Sequence, residues 1–163
     1  MMKPRFITVH CSASKKGRYL TASEIRSMHV RPKSQGGNGW SDVGYHFIIR
    51  TDGATEEGRP LTRMGAGVAG HNEDNIHICL IGGLDSAGKP ADTYEHIQKH
   101  ALFGLIMDLC ERFSIPFENV KGHRDWFGDT NGDGVIDHRD WLKECPCFTV
   151  ATWLTGQLEE LGY

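Results

Sequence analysis

Short apolar runs alternate along this chain with stretches in which apolar residues recur at helical spacing. The run Phe6-Ile7-Thr8-Val9-His10 is typical of a buried strand that ends on a histidine. Further strands are predicted at residues 43–50, 54–57 and 75–81, and a weaker one before His123. Thr51-Asp52-Gly53 predicts a hairpin turn between the strands at 43–50 and 54–57.

Three segments have the pattern of helices. Thr21-Ala22-Ser23-Glu24 is a capping box, and Ile25 and Met28 continue at helical spacing until Pro32. Residues 93–113 carry the apolar stripe of a long amphipathic helix, and a third helix is predicted at 150–161. Because strands and helices alternate, we predict an α/β fold, a single domain over residues 1–163 with a mixed central β-sheet flanked by helices.

Composition narrows the class of partner. A length of 163 residues suits one domain with a sizeable core. A net charge of −3 and a pI near 6.3 argue against a nucleic-acid partner. No stretch approaches the roughly 20 apolar residues of a membrane span, and the N-terminus does not look like a signal peptide. We therefore expect a protein that is synthesised in the cytoplasm and does not insert into membranes. We also expect a monomer.

Two histidines and a cysteine form a candidate zinc site. His10 ends the first strand, His123 follows a similar short run, and Cys145 lies in Lys-Glu-Cys-Pro. Zinc favours imidazole and thiolate ligands, and catalytic sites typically use three protein ligands. With nine histidines and five cysteines, spacing alone is weak evidence, but open α/β sheets place ligand sites at strand ends. Asp125 is a candidate to orient His123.

These segments also carry a family resemblance. Four motifs occur in register: Val9-His10-Cys11-Ser12-Ala13-Ser14, Trp40-Ser41-Asp42-Val43-Gly44-Tyr45-His46-Phe47-Ile48-Ile49, Ile78-Cys79-Leu80-Ile81-Gly82-Gly83 and Lys143-Glu144-Cys145-Pro146. Over about residues 5 to 155 the chain resembles zinc-dependent N-acetylmuramoyl-L-alanine amidases of type 2. The likeness is greatest to bacteriophage amidases called lysozymes, and more distant to animal peptidoglycan recognition proteins.

The resemblance implies an enzyme that uses zinc to hydrolyse the amide between N-acetylmuramic acid and L-alanine. Its partner would be peptidoglycan or muropeptides, and it would act on the cell wall once released, as an endolysin or a wall-remodelling enzyme. Tyr45 and Lys143 match catalytic positions, at which Tyr45 would bind the attacking water and Lys143 would stabilise the oxyanion. Without the resemblance, Tyr45 would be interpreted as a core aromatic and Lys143 as a surface lysine.

The other histidines and cysteines are assigned ordinary roles. His46 should point away from Tyr45 if both lie in one strand. Many relatives carry a histidine near the position of Gly67, where this chain departs from the pattern. The nearby His71 either lines the groove or turns the chain. Five histidines are predicted to be ordinary polar residues: His29, His77, His96, His100 and His138. Three cysteines are predicted to be small buried residues: Cys11, Cys79 and Cys110.

A second metal signature lies in residues 127–141, which we predict to be an inserted calcium-binding loop. Residues 129–140 resemble the 12-residue loop of EF-hands and dockerins, with Gly134 at the sharp turn. The predicted ligands are Asp129, Asn131, Asp133, the Val135 carbonyl, Asp137 and Asp140. The alternative is a surface turn rich in aspartate and glycine. If calcium binds, it should order the segment that carries Lys143 and Cys145.

Two other functions compete with the zinc amidase. One is a non-catalytic peptidoglycan-binding module, because the same fold serves recognition proteins. The other is a thiol hydrolase that uses Cys147 or Cys11 with a histidine, which thiol alkylation would inhibit and a zinc chelator would not.

Overall fold

The computed structural model describes residues 2–163. It contains seven strands: β1 (Phe6–Cys11), β2 (Ser14–Lys15), β3 (Phe47–Ile49), β4 (Thr55–Glu57), β5 (Asn75–Leu80), β6 (Gly83–Leu84) and β7 (Val120–Gly122). Three α-helices accompany them: α1 (Ala22–Val30), α2 (His96–Phe113) and α3 (Val150–Glu160). Short 3-10 helices cover Lys33–Gln35, Phe117–Asn119 and His123–Trp126. In residues 2–163, no helix is both long and apolar enough to cross a bilayer.

Five strands form one mixed sheet in the order β4-β3-β5-β1-β7. β1 lies between β5 and β7 and is parallel to both. β3 is parallel to β5. β4 is antiparallel to β3, as the predicted hairpin requires. The predicted mixed sheet with flanking helices is confirmed.

Some boundaries differ from the prediction. β3 begins at Phe47 rather than at residue 43, because the Gly44 carbonyl accepts a hydrogen bond from the Ala66 N–H, in a loop outside the sheet. α2 begins at His96 rather than Thr93, because the Gln98 side chain accepts the Glu95 N–H at 3.0 Å and caps the first turn. β2 and β6 pair as a separate two-stranded sheet that the sequence pattern did not predict.

Alternate residues of the central strands face two different cores. Ile7 and Val9 of β1 and Ile76 and Ile78 of β5 belong to the larger core, with residues of α2 and α3. The smaller core, on the other face, includes Ile25 of α1 packed with residues such as Ile48 and Cys79. This two-residue alternation explains why all six residues of β5 are buried.

Several intervening positions on the α1 face of β1 and β5 are polar. They include Thr8, His10, Asn75 and His77, none more than 1% exposed. The Thr8 hydroxyl donates to the Asn75 side-chain oxygen at 3.0 Å. Buried polar groups of this kind require partners, and the site described next is built around them.

Candidate metal centre and active site

Neighbouring parallel strands deliver the two histidines of the predicted zinc site. His10 is the fifth residue of β1, and His123 directly follows β7. Their Nδ1 atoms lie 3.2 Å apart. Ligand atoms of His10, His123 and Cys145 all lie within 4.8 Å of one another. The structure therefore brings the three predicted ligands together, in a group that could bind a metal ion.

Cys145 comes from the loop before α3, and hydrogen bonds fix that loop against the strands. The Arg124 N–H donates to the Cys145 carbonyl at 2.9 Å. The Cys11 N–H donates to the Cys145 sulfur at 3.1 Å, and the Tyr94 hydroxyl donates to the Pro146 carbonyl at 2.7 Å. Cys11 is buried, as predicted, and its backbone N–H also positions the thiol of the third predicted ligand.

The protonation states suit metal binding. Burial, followed by the neighbouring His77, His123 and Lys143, holds the pKa of His10 well below its usual value. Burial and then the Lys143 cation lower the pKa of His123 to about 4. Both rings are therefore neutral at pH 7, the form that binds metals. Hydrogen bonding to the Cys11 thiol and then burial raise the pKa of Cys145, so an ion bound there would displace a proton.

Tyr45 lies beside His10 but precedes β3, whereas the sequence pattern placed it inside the strand. Its ring centroid is 5.1 Å from that of His10 and 5.3 Å from that of His29. The His29 Nδ1 accepts a hydrogen bond from the Gly44 N–H at 3.0 Å, which fixes the backbone next to Tyr45. Burial raises the pKa of Tyr45 well above its usual value. The tyrosine therefore stays a neutral phenol that can donate a hydrogen bond.

Lys143 borders an open cavity of about 450 Å³ next to the histidines. Aromatic and aliphatic side chains contribute to its walls, and the lining includes Trp40, Val68, Phe127, Leu142, His123 and Lys143. The cavity thus combines apolar walls, one metal-ligand candidate and one cation. Such a mixture is typical of sites that bind a small organic group and orient it.

The prediction for His77 was wrong: it is not an ordinary polar residue. It is fully buried in β5, and its Nδ1 lies 2.9 Å from the Nε2 of His10. All six residues of β5 are buried, and a histidine in such a position is uncommon. His29, also assigned an ordinary role, supports the backbone beside Tyr45.

The remaining candidates take other positions. The His46 Nδ1 accepts the backbone N–H of His77, so it lies behind His77 and outside the three-ligand group. The His71 ring packs on Trp126 at 4.7 Å. The Asp125 carboxylate accepts the Gly122 N–H at 2.8 Å, which gives it a capping role rather than the predicted contact with His123. His96, His100 and His138 are exposed.

Residues 127–141 form bends and turns without a regular helix or strand. The Asp140 carboxylate closes them, accepting N–H groups of Thr130, Asn131 and Asp137 at 2.9 to 3.1 Å. The Arg139 guanidinium lies 2.8 Å from carboxylate oxygens of both Asp133 and Asp137. Within residues 2–163, His10, His123 and Cys145 are the one group of three or more His, Cys, Asp or Glu ligand atoms this close together. The loop carboxylates are therefore not gathered in the same way.

Comparison with known proteins identifies the family of the chain. The family model described as N-acetylmuramoyl-L-alanine amidase matches residues 1–146. The endolysin of Escherichia phage T7 is 40% identical over 147 residues, 90% of this chain and 83% of the relative. The endolysin of Enterobacteria phage K11 is 38% identical over 151 residues, 92% of this chain and 85% of the relative.

Solved structures show the same fold at lower identity. The N-acetylmuramoyl-L-alanine amidase LysC from Clostridium intestinale is similar with a TM-score of 0.69 and 24% identity, covering 97% of this chain and 87% of that one. A bumblebee peptidoglycan recognition protein is similar with a TM-score of 0.66 and 23% identity, covering 98% and 84%. The chain belongs to the N-acetylmuramoyl-L-alanine amidase family and is an enzyme of that class.

Proposed function

We propose that this chain is a zinc-dependent amidase that cleaves the bond between N-acetylmuramic acid and L-alanine in peptidoglycan. The observation that carries the proposal is the convergence of His10, His123 and Cys145 within 4.8 Å, beside a cavity of about 450 Å³. Two neutral imidazoles and one thiol suit Zn²⁺, and three protein ligands leave one coordination position for water or substrate.

A zinc ion at this site would supply Lewis acidity, which activates water and polarises the scissile carbonyl. Three residues of the chain would hold the ion. His10 and His123 would bind through neutral rings, and Cys145 would bind as a thiolate after losing its proton.

Tyr45 and Lys143 would act on the reacting atoms. The neutral hydroxyl of Tyr45 would donate a hydrogen bond to the attacking water or to the carbonyl oxygen. Lys143 is exposed at the rim of the cavity, and its charge already lowers the pKa of both histidines. A cation there would stabilise the negative charge that develops on the carbonyl oxygen.

Mass spectrometry of purified muropeptides incubated with the zinc-loaded protein tests the reaction. We expect free stem peptides that begin at L-alanine. Cys145→Ser should abolish them, whereas Cys110→Ser, on the core-facing side of α2, should leave them unchanged. Intact muropeptides that still bind the protein would instead identify a recognition module. Cleavage that persists without zinc but stops on alkylation would identify the thiol hydrolase.

We also propose that the enzyme acts as an endolysin, made in the cytoplasm and released to the wall. The support is its similarity to the endolysins of phages T7 and K11. Expression in Escherichia coli with and without a pore-forming holin tests this role. We expect lysis only when both proteins are present; no lysis with the holin and active enzyme would contradict the proposal.

Calcium binding to residues 129–140 remains part of the proposal. Its support is the spacing of the oxygen ligands and the crowding of aspartates, of which Asp133 and Asp137 are in direct contact with Arg139. A bound ion would order the segment leading to Lys143 and Cys145. Trp141 already ties that segment to the site, since its ring lies 3.8 Å from the Arg124 guanidinium carbon.

The test adds calcium to zinc-loaded, calcium-stripped protein. We expect a higher melting temperature and higher amidase activity, and neither effect in Asp129→Ala. Unchanged melting temperature and activity in the wild type would mean that the loop is a surface turn.

A further inference from the structure

A buried histidine lies behind the proposed metal centre. His77 is 0% exposed and His10 is 1% exposed. The Nε2 of His10 lies 2.9 Å from the Nδ1 of His77, while the Nδ1 of His10 faces His123. One ring nitrogen of His10 thus points into the metal centre, and the other is held by a residue outside it.

Packing alone does not explain a histidine at position 77. Its Nε2 is buried and has no hydrogen-bond partner, and a buried polar atom without a partner is destabilising. An apolar side chain would fill the same space without that cost. The contact with His10 is the one polar interaction that the His77 ring makes among the described residues.

The surroundings hold the His77 ring in a single place. Its backbone N–H donates to the Nδ1 of His46 at 2.9 Å, and the two rings are stacked with an interplanar angle of 7°. On the loop side, two glycines leave room for the ring. A Cβ at Gly67 would lie 2.5 Å from the His77 Nδ1, and one at Gly65 would lie 2.4 Å from its Cδ2.

We propose that His77 is a positioning residue that accepts a hydrogen bond from the Nε2–H of His10. A neutral imidazole carries one proton. If that proton is on Nε2, the Nδ1 of His10 presents a free lone pair toward His123 and Cys145. His77 thereby selects the tautomer of His10 that binds a metal, and it fixes the orientation of the His10 ring. In most metal sites a carboxylate, a carbonyl or a water accepts this hydrogen bond from the ligating histidine.

The inference rests on the proposed zinc site, and the zinc-loaded wild type tests it without any substitution. Long-range ¹H–¹⁵N spectra should show the His10 proton on Nε2, with a coupling across the hydrogen bond to the Nδ1 of His77. A zinc-loaded protein in which Nδ1 of His10 is protonated, or in which His77 donates to His10, would overturn the inference.

Zinc affinity, measured by competition with a chromophoric chelator, gives a second readout. His77→Leu removes the acceptor and should weaken zinc binding 10- to 100-fold, while His77→Asn, whose amide oxygen can replace Nδ1, should recover most of the loss. The visible spectrum of the cobalt-loaded protein should change in His77→Leu. Ile76→Ala, fully buried on the opposite face of the same strand, should lower the melting temperature but leave zinc affinity within twofold.

The outcomes separate the two proposals. If the wild type binds zinc and folded His77→Leu binds it equally well, His77 does not position His10 and the zinc site stands. If the wild type binds no zinc, the proposed function fails and this inference fails with it.

Discussion

At the scale of single residues, the Tyr45 hydroxyl is the simplest group to remove. The ring packs between His10 and His29, with centroids 5.1 and 5.3 Å away, and Tyr45→Phe keeps that packing. We expect kcat to fall by about 10²-fold, a typical loss for one transition-state hydrogen bond, with KM within about twofold. Steady-state kinetics on muropeptides measures both quantities. Tyr19→Phe, 78% exposed, is the matched control, and an unchanged kcat in Tyr45→Phe would remove Tyr45 from the reaction.

The sequence identified the three residues that the fold brings together, but not all the residues that surround them. His10, His123 and Cys145 stood out because each lies in a motif with a chemical reason for its residue type. His77 did not, because its importance depends on the pairing of β1 with β5, which sets His77 opposite Thr8 and therefore diagonal to His10. That register joins residues 67 positions apart, and no local pattern contains it.

At the scale of elements, helix α1 begins at the capping box that the sequence predicted. The Thr21 hydroxyl accepts the Glu24 N–H, and the Glu24 carboxylate accepts the Thr21 N–H at 2.8 Å. Thr21→Ala removes one half of this exchange and should lower the free energy of unfolding by about 1 kcal/mol. Urea denaturation measures the loss of unfolding free energy. Thr21→Ser keeps a capping hydroxyl and should lose less than Thr21→Ala. Equal stability of the wild type and Thr21→Ala would mean that the cap contributes nothing.

The same scale shows where local patterns stop being informative. β1, β5 and the three helices follow from apolar spacing, because each is long enough to show a period. β2 and β6 have two residues each, too few for any period. Tyr45 was placed inside a strand because its segment is apolar, yet the Gly44 N–H and carbonyl bind His29 and Ala66 instead of a neighbouring strand.

At the scale of the whole molecule, Lys99 joins helix α2 to the chain that follows Cys145. Its ammonium lies 3.4 Å from the centroid of the Phe148 ring and 2.9 Å from Asp92, and its side chain is only 17% exposed. Lys99→Met removes a cation–π contact and should destabilise the fold by about 1 to 2 kcal/mol. Thermal denaturation measures the change. Lys99→Arg keeps a cation and should lose less; equal losses in the two variants would assign the effect to shape rather than charge.

The parts of the site come from distant positions and meet only in the folded chain. β1 supplies His10, the 3-10 helix after β7 supplies His123, and the loop before α3 supplies Cys145. Contacts such as the Arg124 N–H to the Cys145 carbonyl link these segments directly. A metal ion bound by all three ligands would stabilise the native state, because the unfolded chain does not hold them together.

Metal removal and replacement measure the central claim most directly. Protein stripped of metal by a chelator should have no amidase activity on muropeptides and a lower melting temperature. One equivalent of zinc should restore both properties in the wild type and neither in Cys145→Ser. Full amidase activity in metal-free wild-type protein would contradict the account.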